Sequence, residues 1–452
     1  MNYKLFLISA LFISPFSFCQ TIEIESGGGE FLFEQTEDNC LNSVDRLAIK
    51  NRLINNKRKL ELEGKLIANQ DREDVAFEWP LRLVEDINWN SYYGVGNFVD
   101  QDDSPTLGDY YCNARTYNGH KGTDIFTWPF PWYLYENDYV EVIAAEAGVI
   151  IGKEDDFDDD HCECFGSWNA VYVQHADGSV AWYGHLKKNS LTFKEIGEAV
   201  VKGDFLGVVA SSGCSTGPHL HFEIYNADGD LIDPYSGVCN LLNLSSWWNE
   251  QPPNREPMIN TVLTHNQVPE HGCPSINEDP HFENDFFVGD IVYTAFYYHD
   301  ELFATESNYK IIDPDGNVWQ EWMHESPGNY NASWWYWSWE LPVEGPFGVW
   351  TVAANYQGEN YLHEFNYGVF SNTQKNDLSF ISISPNPSNS NYIAISGLTD
   401  FTSIEIYDGM GKCVKKLNMV EDEINIAELS KGVYYIRFYL NDTFVVKKII
   451  RN

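Results

Sequence analysis

At 452 residues the chain exceeds one ordinary hydrophobic core and implies roughly two to four domains. Its 43% hydrophobic and 15% aromatic content excludes a chain disordered throughout. A formal charge of −39, from 28 Lys and Arg against 67 Asp and Glu, excludes nucleic acid as a partner, because phosphate binding needs clustered cations, and disfavours anionic lipid.

Residues 1–20 read as an export signal: Lys4, the apolar run Leu5 to Phe18, then Ser17-Phe18-Cys19-Gln20 as the cleavage zone. The run is short and holds Pro15, which argues against a membrane anchor, and no later stretch offers about twenty consecutive apolar residues. A lipidated Cys19 is the alternative, poorly served by the phenylalanines before it. Within 21–76, Val44, Leu47, Ile49, Leu53 and Ile54 predict a helix from Asn42 to Leu62, capped by Asn42 or Ser43. This segment is either a propeptide or a packed accessory piece.

Residues 77–250 alternate short β-runs with Gly, Asp and Asn, as in Tyr139 to Ala144, Gly148 to Ile151, Ala170 to Gln174, Val180 to Tyr183 and Phe205 to Ala210, which predicts an antiparallel β domain. Two insertions interrupt it. Trp128 to Tyr135, aromatic and proline-rich, reads as the wall of a groove or as a folded surface loop. Glu154 to Asp160 is acidic enough to raise calcium, but lacks the calcium-loop spacing and glycine and reads better as a solvated loop.

After the linker Pro252-Pro253-Asn254, residues 257–370 read as an immunoglobulin-like β-sandwich, with strands at Ile291 to Tyr298, Tyr309 to Ile312, Ser333 to Trp339 and Val349 to Tyr356. Trp335, Trp337 and Trp339 share one strand face, read as core in preference to a glycan platform. Residues 378–452 form a separate small β-sandwich, in which eight Lys and Arg balance eight Asp and Glu from Phe380 onward. The acidic excess lies elsewhere.

Beyond Cys19 there are eight cysteines: Cys40, Cys112, Cys162, Cys164, Cys214, Cys239, Cys273 and Cys413. Export makes disulfides the default, with connectivity undetermined. A second metal site from His161, Cys162 and Cys164 with Cys112 or Cys214 is the weaker alternative. A bridge at Cys214 would brace the loop leading to His219.

The chemistry concentrates in His219-Leu220-His221, within Ser-Thr-Gly-Pro-His-Leu-His-Phe-Glu-Ile, and in His120-Lys-Gly-Thr-Asp124. Residues two apart on a strand share a face, so both imidazoles of the first motif address one site. His120 and Asp124 are donors of the kind that complete a zinc site. Trp182-Tyr-Gly-His185 adds a further histidine. His175, in Val-Gln-His-Ala-Asp-Gly, reads as a hairpin-turn residue outside the site.

In this order the motifs resemble the lysostaphin-type zinc endopeptidases. The resemblance implies one zinc ion held by His120, Asp124 and His221, with an open position for water. His185 and His219 are assigned to the chemistry, one for proton transfer and one for the oxyanion, and Glu223 is a candidate partner behind the ligands. The implied substrates are peptide cross-links of bacterial cell-wall peptidoglycan, often at glycine, or extracellular proteins. From another class, a cell-surface binding protein using the Trp-rich sandwich is the alternative; the intact His/Asp set favours the enzyme. Pro385-Asn-Pro387, Gly411-Lys412, Lys431-Gly-Val-Tyr434 and Lys447-Lys448 resemble the sorting domain of type IX secretion cargo, which implies that machinery as a partner and an extracellular or cell-surface location. The expected whole is mostly β: an antiparallel metallopeptidase domain, an immunoglobulin-like sandwich and a small C-terminal sandwich.

Overall fold

The computed structural model describes residues 23–32, 41–66, 75–84, 87–102, 104, 106–273, 275–368, 382–396, 403–408, 412–417, 423–440 and 443–451. The export signal and Cys40 lie outside them. The chain divides into two compact units, 1–369 and 370–452.

In the first unit, β-branched and aromatic runs build a large antiparallel sheet. Its strands run Tyr93–Asn97, Thr123–Thr127, His219–Tyr225, Val180–Gly184, Ala170–Gln174, Gly148–Glu154 and Ala199–Val200, with Leu231–Ile232 paired to His219–Tyr225. A smaller sheet of Leu81–Leu83, Val140–Ile143 and Phe205–Val208 packs on one face through Val142, Leu206, Val173, Tyr183 and Phe222. Strands Ala170–Gln174 and Val180–Gly184 are buried at every residue, because their other face is covered too. The cover is the helix Ser43–Leu62, whose Ile49, Leu53 and Leu60 meet Ile151, Tyr172 and Trp182.

Asn42 caps this helix, its Oδ1 accepting from the backbone N–H of Val44 at 2.9 Å and Asp45 at 3.0 Å. The expected apolar stripe needs correction. Val44, Leu47 and Ile54 are exposed, because the face that meets the sheet follows the four-, seven- and eleven-residue steps from Ile49 to Leu53, Asn56 and Leu60. The N-terminal segment also supplies a strand that the sequence reading did not anticipate. Glu23–Glu30 pairs antiparallel with Ala332–Glu340, more than 300 positions away.

That partner strand belongs to a two-sheet sandwich. One sheet orders Glu23–Glu30, Ala332–Glu340, Ile291–His299 and Met258–His265; the other orders Asp285–Phe287, Glu359–Gly368, Gly348–Tyr356, Glu306–Ile312 and Val318–Glu325. Trp339 is buried between them, and Trp335 and Trp337 pack against the same core with Trp322 and Tyr309. The Trp face is therefore core.

The aromatic insertion is mostly buried core and not a surface loop, while its Pro131 and Trp132 line a pocket with Thr216, Gly217 and His271. Trp128, Phe130 and Trp132 are at most 2% exposed. A short helix, Pro131–Glu136, follows Phe130, and Phe126, Trp128 and Phe130 cluster with Ala295, Tyr297, Ala332 and Tyr336 of the sandwich. The large apolar rings here join two β layers, as does the buried Arg115–Asp300 ion pair at 2.6 Å.

The acidic loop is tied down by protein donors. Asp159 accepts from Tyr135 Oη and the Lys188 backbone N–H, Asp158 pairs with Lys188 Nζ, and Asp155 accepts from the Asn189 N–H. Disulfides join Cys112 to Cys239, Cys162 to Cys273 and Cys164 to Cys214. They overturn the alternative of a second, cysteine-ligated metal. Cys413 is free and exposed.

The second unit has two antiparallel sheets, one of Ser382–Ser384, Tyr392–Ser396 and Glu423–Asn425, the other of Cys413–Leu417, Ser403–Asp408, Gly432–Leu440 and Thr443–Arg451. Ile393, Ile404, Ile424, Ile436 and Phe438 fill the core.

Candidate active site

Strand register assembles the site. His221 sits opposite Asp124 on one neighbouring strand and opposite Gly184 on the other. Directly opposed side chains lie about 5 Å apart, so Asp124 and His221 are adjacent by construction. His185 follows Gly184 directly. His120 reaches the same place through a turn closed by its N–H donating to Tyr117 O at 3.0 Å.

Two glycines let these groups converge. A Cβ at Gly122 would lie 2.6 Å from His221 Nε2, and one at Gly184 would lie 2.3 Å from the ring of Trp168. That indole fills the space beside His185 and His221.

His120 Nε2 lies 3.1 Å from Asp124 Oδ2 and 3.3 Å from His221 Nδ1, while His221 Nδ1 lies 2.8 Å from Asp124 Oδ1. Among the described residues this is the one group of His, Cys, Asp and Glu donors close enough to hold a metal ion, with ligand atoms within 4.8 Å of one another. The outward ring nitrogens are engaged elsewhere. His120 Nδ1 donates to Phe98 O at 2.7 Å and His221 Nε2 to Glu223 Oε2 at 3.1 Å. These bonds set tautomers that leave His120 Nε2 and His221 Nδ1 as lone-pair donors, the arrangement metal-binding histidines use. Burial opposes ionisation of Asp124, but the neighbouring His120, with His221 and His219, outweighs it and holds the carboxyl well below the usual range. Glu223 is likewise pushed up by burial, yet Arg46, His221 and Tyr225 bring it down to about 2. The donor set therefore fits a divalent metal.

His185 and His219 stand beside this cluster, with ring centroids 4.4 Å apart. His185 is fully buried, holds a left-handed φ of 63°, and donates through Nδ1 to Ser212 O at 2.6 Å. His219 Nδ1 donates to Gly217 O at 2.9 Å, and its Nε2 faces Asp124 Oδ1 at 3.6 Å. Burial lowers both imidazoles below the usual histidine value; for His185 the neighbouring His219 and His221 lower it further. All five residues singled out from sequence converge here. His175 lies apart at its turn, bonded to Ala147 O.

Residues 118–234, which contain both motifs, match peptidase family M23. The chain carries a family M23 peptidase domain. The DD-carboxypeptidase/endopeptidase Mpg of Neisseria meningitidis serogroup B and that of Neisseria gonorrhoeae are each 39% identical to it over 71 residues, 16% of this chain and 15% of theirs. An uncharacterized metalloprotease of Buchnera aphidicola subsp. Baizongia pistaciae is 39% identical over 57 residues, 13% of this chain and 14% of its own. The chain thus spans about 15% of the length of the curated relatives it matches. Residues 382–452 match the secretion system C-terminal sorting domain, which marks the M23-bearing chain for type IX export to the cell surface or beyond. No helix among the described residues is long and apolar enough to cross a membrane.

Three groups around the M23 site escaped the sequence reading. Asn97 Nδ2 donates to Asp124 Oδ2 at 3.1 Å, Trp168 packs on two of the histidines, and Arg46 pairs with Glu223. Only the last left a trace: Glu223 sits on the buried face of an apolar strand, which demands a cation or proton donor. Nothing local says that the cation comes from position 46.

Proposed function

We propose that the chain is a zinc-dependent endopeptidase acting outside the cell on peptide bonds, with peptidoglycan cross-link peptides or glycine-rich extracellular proteins as substrates. The observation that carries this reading is the convergence of His120 Nε2, Asp124 and His221 Nδ1 beside two further histidines, inside the stretch matching family M23. The relatives' names, an endopeptidase and a metalloprotease, support it.

His120, Asp124 and His221 would hold the ion. Bound zinc supplies a Lewis acid for the scissile carbonyl and lowers the pKa of a water toward about 7. The protein supplies the rest. With Nδ1 committed to Ser212 O and Gly217 O, His185 and His219 both turn Nε2 toward the reaction space, and a lowered pKa keeps the one that acts as base neutral and able to accept a proton. One takes the proton of the attacking water and returns it to the leaving amine nitrogen. The other, carrying a proton on Nε2 as well, donates it in a hydrogen bond to the oxyanion that develops on the former carbonyl oxygen.

The competing reading, an adhesion protein using Trp335, Trp337 and Trp339, is weakened because those rings are spent in the sandwich core. The test is zinc-dependent cleavage by the purified chain, lost together with bound metal in Asp124→Ala.

A further inference from the structure

The helix Ser43–Leu62 lies far before the matched peptidase stretch in sequence, yet a chain of contacts leads from it to the metal-type cluster. Arg46 pairs through Nη1 with Glu223 Oε1 and donates to Tyr225 Oη at 2.9 Å. Tyr225 Oη in turn donates to Glu223 Oε1. The other carboxylate oxygen, Oε2, accepts from His221 Nε2 at 3.1 Å, and His221 Nδ1 faces Asp124. The Glu223 side chain is 0% exposed and that of Arg46 11%, so solvent does little to screen the pair.

The helix is seated along its length. Lys50 Nζ lies 4.0 Å over the Tyr225 ring, Arg52 pairs with Glu154 at 2.6 Å, and Asn56 Nδ2 donates to Ile151 O at 2.8 Å. A carboxylate behind a ligating histidine fixes the tautomer and aims the ring. Here that carboxylate is itself held in place by a cation from outside the peptidase stretch.

We propose that Arg46 is a positioning residue for the metal ligand His221, acting through Glu223, and that the helix bearing it is a permanent part of the enzyme and not a propeptide. This rests on the zinc reading above. Removing the guanidinium leaves Glu223 free to turn away from His221 Nε2, so Nδ1 loses its fixed aim at the metal.

The test is zinc affinity of the full-length chain, measured by competition with a chromophoric chelator. Arg46→Met keeps the aliphatic stem and should weaken zinc by about 10- to 100-fold, the usual cost of losing such a partner. Arg46→Lys should recover part of the loss. The double variant Arg46→Met with Glu223→Gln leaves no buried charge unpaired, so it carries the test if the single variant does not fold; it should also bind zinc more weakly than wild type. Arg52→Met, on the same helix but against Glu154, should leave zinc affinity unchanged. Wild-type affinity in Arg46→Met or in the double variant overturns the proposal, as does an equal loss in Arg52→Met, which would mark a general effect of loosening the helix. A wild-type chain that binds no zinc overturns the functional reading as well. The amino terminus of the secreted, active protein should fall before Ser43; a mature enzyme starting after Leu62 contradicts the proposal.

Discussion

Each of the four histidines at the centre spends one ring nitrogen on the protein and keeps the other for the site. The proposed split, His120 and His221 as ligands and His185 and His219 as proton carriers, can be read out by mutation. His185→Ala and His219→Ala should each lower turnover by about 10²-fold or more while keeping zinc, if the proposed ligands are His120, Asp124 and His221 alone. His221→Ala should lose metal and turnover together. Metal loss in either of the first two variants would show that the roles are wrongly divided. A second residue-scale expectation concerns Asp233, buried and bonded to Gln101 Nε2 at 2.7 Å and to the Tyr235 N–H at 3.0 Å. Burial raises its carboxyl to about 8. Between pH 4 and 8 the unfolded chain releases this proton while the folded chain keeps it, so its contribution to stability is full at low pH and is lost as pH rises through that window. Urea midpoints should therefore fall less steeply over pH 4–8 in Asp233→Asn than in wild type. Parallel slopes would show that Asp233 ionises normally in the fold. The motif residues were legible in the sequence because their types and spacing are local. Asn97, Trp168 and Arg46 were not, because what makes them matter is a partner across the sheet.

At the scale of elements, period-two alternation and turn residues located most strands, and the cap and length of Ser43–Leu62 were readable. Its buried face was misread because Val44, Leu47 and Ile54 are apolar yet point to solvent. The pairing of Glu23–Glu30 with Ala332–Glu340 had no local signal, since the strand is rich in glycine and acidic residues. The Cys164–Cys214 bridge closes a 50-residue separation and holds the loop that ends at His219. Replacing both cysteines by Ala should cost about 3–4 kcal/mol of unfolding free energy. It should also lower turnover without removing zinc, as calorimetry and metal analysis on one preparation would show. Unchanged turnover would mean that the loop needs no brace.

For the molecule as a whole, the tail is charge-balanced beside a very acidic remainder, and its buried isoleucines give it a core of its own. A module used as an address has no duty at the site. Deleting residues 378–452 should leave the purified chain's peptidase activity intact and trap the protein inside the producing cell, as immunoblots of cell and medium fractions would reveal. Wild-type secretion of the truncated chain would make the tail an ordinary β domain. Zinc-dependent peptide-bond cleavage is tested by mass spectrometry of new peptide termini after incubation of purified chain with peptidoglycan and, separately, with casein or elastin. New amino termini should appear, vanish on chelation, return with about one equivalent of zinc per chain, and never form with Asp124→Ala. Zinc-loaded wild type yielding no new termini on any of these substrates, or Asp124→Ala yielding the same termini, would contradict the proposed zinc-dependent cleavage.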